Sequence, residues 1–177
     1  MNKKNLWCIG LAFMLCSCGN ISDQKKYRPT HFPTNIGKGE YKIPFHSNNN
    51  DVLVNIRLNG GTQFTGAVWD LGCSFPLKIS HLEIANLMKD NTFKAGARYS
   101  EAISVTVANG QSVTMDAYVL DEVAFTDVDG KEHSVSNVPA VVDSNISTRI
   151  LVGKPLMDKL GYSQEIDNNE MVIIIKE

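Results

Sequence analysis

The sequence is short of the residues and patterns that identify most chemistries. It has 177 residues and only four histidines, His31, His46, His81 and His133, none at paired metal-ligand spacing. The common zinc arrangements are therefore excluded. The formal net charge is −2, so no basic excess points to nucleic acid. Gly153-Lys154 has no glycine-rich loop ahead of it, which removes a phosphate-cradling loop. Of four cysteines, Cys8, Cys16 and Cys18 lie at the N-terminus and Cys73 stands alone beyond them, so no disulfide can form inside the remaining chain. Cys73 also lacks any local signature of a nucleophile with its histidine. Long apolar runs are missing too: Leu6–Leu15 is well short of the roughly 20 residues of a membrane span. There is no repeat at solenoid spacing and no low-complexity stretch. Neither a metal nor a cofactor is expected.

The first segment is nevertheless informative. Lys3 and Lys4 precede the apolar run, and Leu15-Cys16-Ser17-Cys18 follows it. This is the pattern of a secretory signal peptide over residues 1–17, and it resembles the bacterial lipoprotein signal, in which the cysteine here numbered Cys18 is lipidated and becomes the mature N-terminus. The resemblance implies a lipid-anchored protein of the bacterial cell envelope. Gly19, not Asp, follows Cys18, which by analogy favours the outer membrane. Residues 18–39 are polar, carry Lys25, Lys26, Pro29 and Pro33, and read as a tether. One domain is expected over residues 40–177.

That domain reads as β-rich. Tyr41–Phe45 is a first strand. Asp51–Leu58 alternates, with Val52, Val54, Ile56 and Leu58 on one face, and Asn59-Gly60 is a strong hairpin signal. Thr62–Trp69 returns, with Phe64, Gly66 and Val68 expected on the face that Asp70 shares. Ser80-His81-Leu82-Glu83 is a capping box that opens a helix to about Lys89, with Leu82, Ala85, Leu87 and Met88 expected inward. Asn109-Gly110 and Asp129-Gly130 mark two further hairpins, and three such turns argue for an antiparallel β fold. Pro155 suits the first position of a short second helix. Met171–Ile175 does not alternate, so both its faces should be covered, by a dimer partner or by the chain's own core.

The stretch on which function turns is Phe64–Ser74. An apolar strand ends in Asp70, with Gly72 just after it. A carboxylate at the end of such a strand is costly unless something pairs with it or binds it. Alone, Asp-x-Gly is most often a turn cap. Here a hairpin precedes it and Leu151-Val152-Gly153 lies downstream. Together, Asp70-Leu71-Gly72-Cys73-Ser74 and Ile150-Leu151-Val152-Gly153 resemble the two motifs of retropepsin-like aspartic proteases, over roughly Tyr41–Glu177. The resemblance implies a closed, mainly antiparallel, all-β barrel with one or two short helices. It assigns Asp70 the catalytic role, Leu71, Gly72, Cys73 and Ser74 the active-site loop, and Leu151, Val152 and Gly153 the supporting segment. It puts a substrate-covering flap near Lys94, Gly96 and Tyr99. In this family two aspartates share one water. Only one suitable Asp-x-Gly is present, since Asp129-Gly130 is a turn and Asp143-Ser144-Asn145 lacks the glycine. Catalysis would thus need a homodimer acting on a peptide or protein substrate. One position departs from the pattern: Leu71 stands where the family has Thr or Ser, whose hydroxyl ties the two loops together. An endopeptidase and a silent peptide-binding module both remain open at this point.

Overall fold

A computed structural model describes residues 39–61, 63–93, 102–106, 110–145 and 147–177. The signal peptide, Cys18, nearly all of the tether, and the flap residues Lys94, Gly96 and Tyr99 lie outside the described residues.

The chain runs β1 (Glu40–Asn48), β2 (Asp51–Leu58), β3 (Gln63–Asp70), β4 (Leu77–Ser80), α1 (His81–Lys89), β5 (Ile103–Thr106), β6 (Ser112–Thr126), β7 (Glu132–Asp143), β8 (Leu151–Gly153), α2 (Lys154–Leu160), β9 (Ser163–Asp167) and β10 (Val172–Lys176). β2, β3, β8, β4, β7 and β6 follow one another around a closed six-strand barrel, sealed where Leu58 of β2 meets Val123 of β6. β1 continues from β2 into a terminal sheet with β10 and β9, and β5 pairs with the start of β6. Most pairings are antiparallel, as expected. Two are parallel, β3 with β8 and β4 with β7: β8 lies between β3 and β4, and β4 lies between β7 and β8.

One apolar cluster takes residues from all six barrel strands, including Val54, Trp69, Val152, Leu77, Val142 and Leu120. A smaller cluster gathers Cys73, Phe75, Val105, Met115, Val141 and Leu151, with Val68 packed on it. The two are separated on β3 by a bulge. Val54 pairs with Ala67 and Ile56 with Phe64, which leaves one residue of β2 opposite two of β3. Gly66 sits there with φ +78°, a conformation that glycine adopts without the steric cost a side chain would bring. The extra residue reverses the inside–outside order. Phe64 joins the main cluster with Ala67 and Trp69, whereas Val68 turns to the smaller one. The expected single face of Phe64, Gly66, Val68 and Asp70 is therefore corrected: past the bulge only Val68 accompanies Asp70.

The capping box forms. The Ser80 hydroxyl accepts from the Leu82 amide at 3.1 Å, and the Glu83 carboxylate accepts from the Ser80 amide at 2.6 Å. Ile84 and Leu87 bury their side chains, while Leu82, Ala85 and Met88 face solvent. Leu82, two residues from Ile84, lies about 200° round the helix from it, on the opposite side. Composition of the helix did not reveal that phase. The apolar run of β10 is covered within the chain, with Ile173 and Ile175 in the main cluster.

Candidate functional site

Asp70 closes β3, and the chain then reverses over Leu71 and Gly72. The Gly72 amide donates to Asp70 Oδ1 at 2.8 Å, and the Cys73 amide donates to the Asp70 carbonyl at 3.2 Å. The loop then crosses β8. Asp70 is in register with Gly153 on the parallel strand beside it. The Gly153 amide donates to the Pro76 carbonyl at 3.0 Å, and the Lys154 amide to the Cys73 carbonyl at 3.1 Å. A Cβ on Gly153 would lie 1.8 Å from the Phe75 carbonyl oxygen. The crossing is thus only as close as a missing side chain permits. Cys73 is buried, and its thiol donates to the Phe75 carbonyl at 3.6 Å.

Thus Asp70, Gly72, Cys73 and the Leu151–Gly153 segment lie together. Asp70 and Ser74 are half-buried and Gly72 is exposed. Leu71 is 61% exposed, a large apolar side chain at the tip of the turn next to a carboxylate. A half-buried carboxylate with one oxygen held by a backbone amide can accept a proton from water or bind a donor group. Among the described residues no group of three His, Cys, Asp or Glu side chains could hold a metal ion.

Two polar arrangements, one buried and one half-buried, lie in this frame, and the sequence had not suggested either. Asp127 and His133 are only 7% and 4% exposed, with Asp127 Oδ2 and His133 Nε2 2.7 Å apart. Asp127 Oδ1 also accepts from the amides of Asp129 and Lys131. The Tyr41 ring stacks on His133 at 3.6 Å, and its hydroxyl donates to the Leu160 carbonyl at the end of α2. The Asp129-Gly130 turn signal, by folding Asp127 back on His133, was the one clue available. Asp127→Ala strands two amides and the imidazole, and should cost about 2 kcal/mol in a denaturant titration. Burial, together with the nearby charges of Glu177 and Asp127, pushes the Tyr41 phenol up.

The second arrangement is Asp143 with Lys78, 2.9 Å apart and with side chains 18% and 12% exposed. Burial alone would raise the pKa values of Asp127 and Asp143. For Asp127 the His133 hydrogen bond and the Lys131 and Asp129 amides outweigh it; for Asp143 the Asn145 amide, Lys78 and Thr148 do so. Both carboxyls are held below the ordinary 3.8. A carboxyl with a lowered folded pKa gives stability that is present above its unfolded value and lost as pH falls through the folded one. The thermal midpoint should therefore hold from neutral pH down to about 4 and fall below it, and Asp127→Asn or Asp143→Asn should blunt that fall.

No family model and no curated protein matches the chain. Among solved structures it is similar to the crystal structure of a retropepsin-like aspartic protease from Rickettsia conorii. The two share 21% identity with a TM-score of 0.50, over 81% of this chain and 93% of that one. The closed barrel, the order of its strands and this likeness establish a retropepsin-like fold.

Proposed function

We propose that the chain is an aspartic endopeptidase, lipid-anchored at Cys18 in the bacterial envelope and active as a homodimer. The observation that carries the reading is the placement of Asp70. It stands half-buried on a turn braced by Gly153, in a retropepsin-like fold that offers one such aspartate per chain. Two copies related by a two-fold axis bring two Asp70 carboxyls to one water. At that distance both cannot be ionised, so they share a proton. The ionised carboxylate takes a proton from the water as the water oxygen bonds to the peptide carbonyl carbon. The protonated partner donates toward the carbonyl oxygen. The resulting diol then collapses. The first Asp70 gives the proton it took from water to the amine nitrogen, and the C–N bond breaks. One diol hydroxyl returns its proton to the second Asp70, and the acyl carbon leaves as a carboxylic acid. The substrate lies extended between subunits, hydrogen-bonded backbone to backbone.

Leu71 favours a second reading, a silent peptide-binding domain. At 61% exposed it is at the surface of the single chain, where it can neither donate nor accept across a two-fold axis. The test is peptide-library cleavage by the detergent-solubilised full chain and by Leu71→Thr, from acidic to neutral pH. Cleavage by wild type supports the peptidase. Cleavage by Leu71→Thr alone supports a disabled peptidase with a binding role. Cleavage by neither counts against catalysis at Asp70.

A further inference from the structure

Asp143 closes β7 and begins the loop that leads into β8, and three groups converge on its carboxylate. Oδ1 accepts from the Asn145 amide at 2.9 Å. Oδ2 accepts from the Thr148 hydroxyl at 2.9 Å and pairs with Lys78 Nζ at 2.9 Å. Lys78 lies on β4, in register with Val141 of β7 and Leu151 of β8. One half-buried carboxylate therefore ties the end of β7, the middle of β4 and the loop ahead of β8 to a single point. That loop ends at Ile150, whose carbonyl accepts from the Val68 amide of β3 at 2.8 Å. Two residues beyond Val68 is Asp70, and three beyond Ile150 is Gly153. β8 is only three residues long, paired with β3 on one side and β4 on the other, so few ladder bonds set its position and the segments at its ends contribute to its placement.

We propose that Asp143, paired with Lys78 and Thr148, is a positioning residue that sets β8 beneath the Asp70 turn. Its effect on rate rests on the reading of Asp70 as the working carboxylate; its effect on β8 does not. Lys78 neutralises the carboxylate, and Thr148 and Asn145 wind the loop onto it. Gly153 then arrives where the Phe75 carbonyl leaves no room for a Cβ, and the Asp70 loop is seated on it.

The test is residue-resolved amide hydrogen exchange on the full chain, with peptide cleavage measured beside it, for wild type, Asp143→Ala, Asp143→Asn and Lys78→Met. The reporters are the amides of Val68, Gly153 and Lys154, and the reference is the pair Val123 and Val135 on β6 and β7. Removing one partner of this half-buried pair should speed exchange at the reporters about tenfold or more while the reference holds. Asp143→Asn keeps an acceptor for the Asn145 amide but loses the charge, and should fall between. Lys78→Met keeps the apolar stem and serves if Asp143→Ala does not fold. In the peptidase, kcat should fall in the same order with KM held. Unchanged reporters, or reporters that speed up only in step with the reference, overturn the proposal. If wild type cuts no peptide but the reporters respond, the positioning role stands and the peptidase reading is what has failed.

Discussion

Asp70→Asn is expected to lower peptide cleavage by about a thousandfold or more with the fold intact. The amide is nearly the size and shape of the carboxylate. Its oxygen can still accept from the Gly72 amide, the hydrogen bond at 2.8 Å that fixes the side chain. What it loses is the ability to hold a negative charge and take a proton, or to share a proton with its copy across the axis. The thermal midpoint should therefore stay close to wild type while the rate collapses. Cleavage persisting in Asp70→Asn would assign the activity to another group or another protein. A rate loss accompanied by unfolding would say only that the carboxylate supports the turn.

Gly153→Ala is expected to be strongly damaging. The added Cβ would sit 1.8 Å from the Phe75 carbonyl oxygen and 2.9 Å from that of Cys73. Both obstacles are backbone, so no side chain can swing away. Either β8 withdraws from β3 and β4, breaking the Gly153 and Lys154 amide bonds to Pro76 and Cys73, or the loop after Asp70 lifts. Either way about 3 kcal/mol is lost, together with the seat of Asp70. Denaturant unfolding reads the first loss and peptide cleavage the second. An unchanged midpoint would mean that the loop does not press on β8 as closely as the structure has it.

Much of this frame was legible locally. Asn59-Gly60 and Asp129-Gly130 each state a turn in two residues, and Ser80 with Glu83 states a helix start in four. Each signal acts over a few bonds, so nothing distant overrides it. The association of Asp70 with Leu151-Val152-Gly153 was legible only through resemblance, since the two segments are far apart in sequence and no turn links them. The parallel pairings of β3 with β8 and β4 with β7 were hidden for that reason. Gly66 was visible as a glycine inside a strand, yet its bulge, and the reversal it imposes on Phe64 and Val68, depends on how β2 lies against β3. Leu82 and Met88 looked like core by type. Which side of α1 faces in is set by how β4 delivers Ser80. Asp127 with His133, and Asp143 with Lys78, are pairs made by folding between residues that singly look like surface polar groups.

Leu71 separates this chain from the pattern it otherwise follows. A hydroxyl at that position would tie the two Asp70 loops by hydrogen bonds across the axis. In the proposed dimer an exposed leucine can join the two loops only by apolar contact, and added salt should leave that contact intact, since salt screens charges.

In the proposed dimer, two chains each supply one Asp70 to a single site. Mixing wild type with Asp70→Asn at constant total protein, with time for subunits to exchange, tests it most directly. If both carboxyls are required, only pairs of wild-type chains cut, and an equal mixture should retain about a quarter of the activity. Activity of about half, falling in simple proportion to the wild-type fraction, would mean that each chain works alone, and would contradict the shared site.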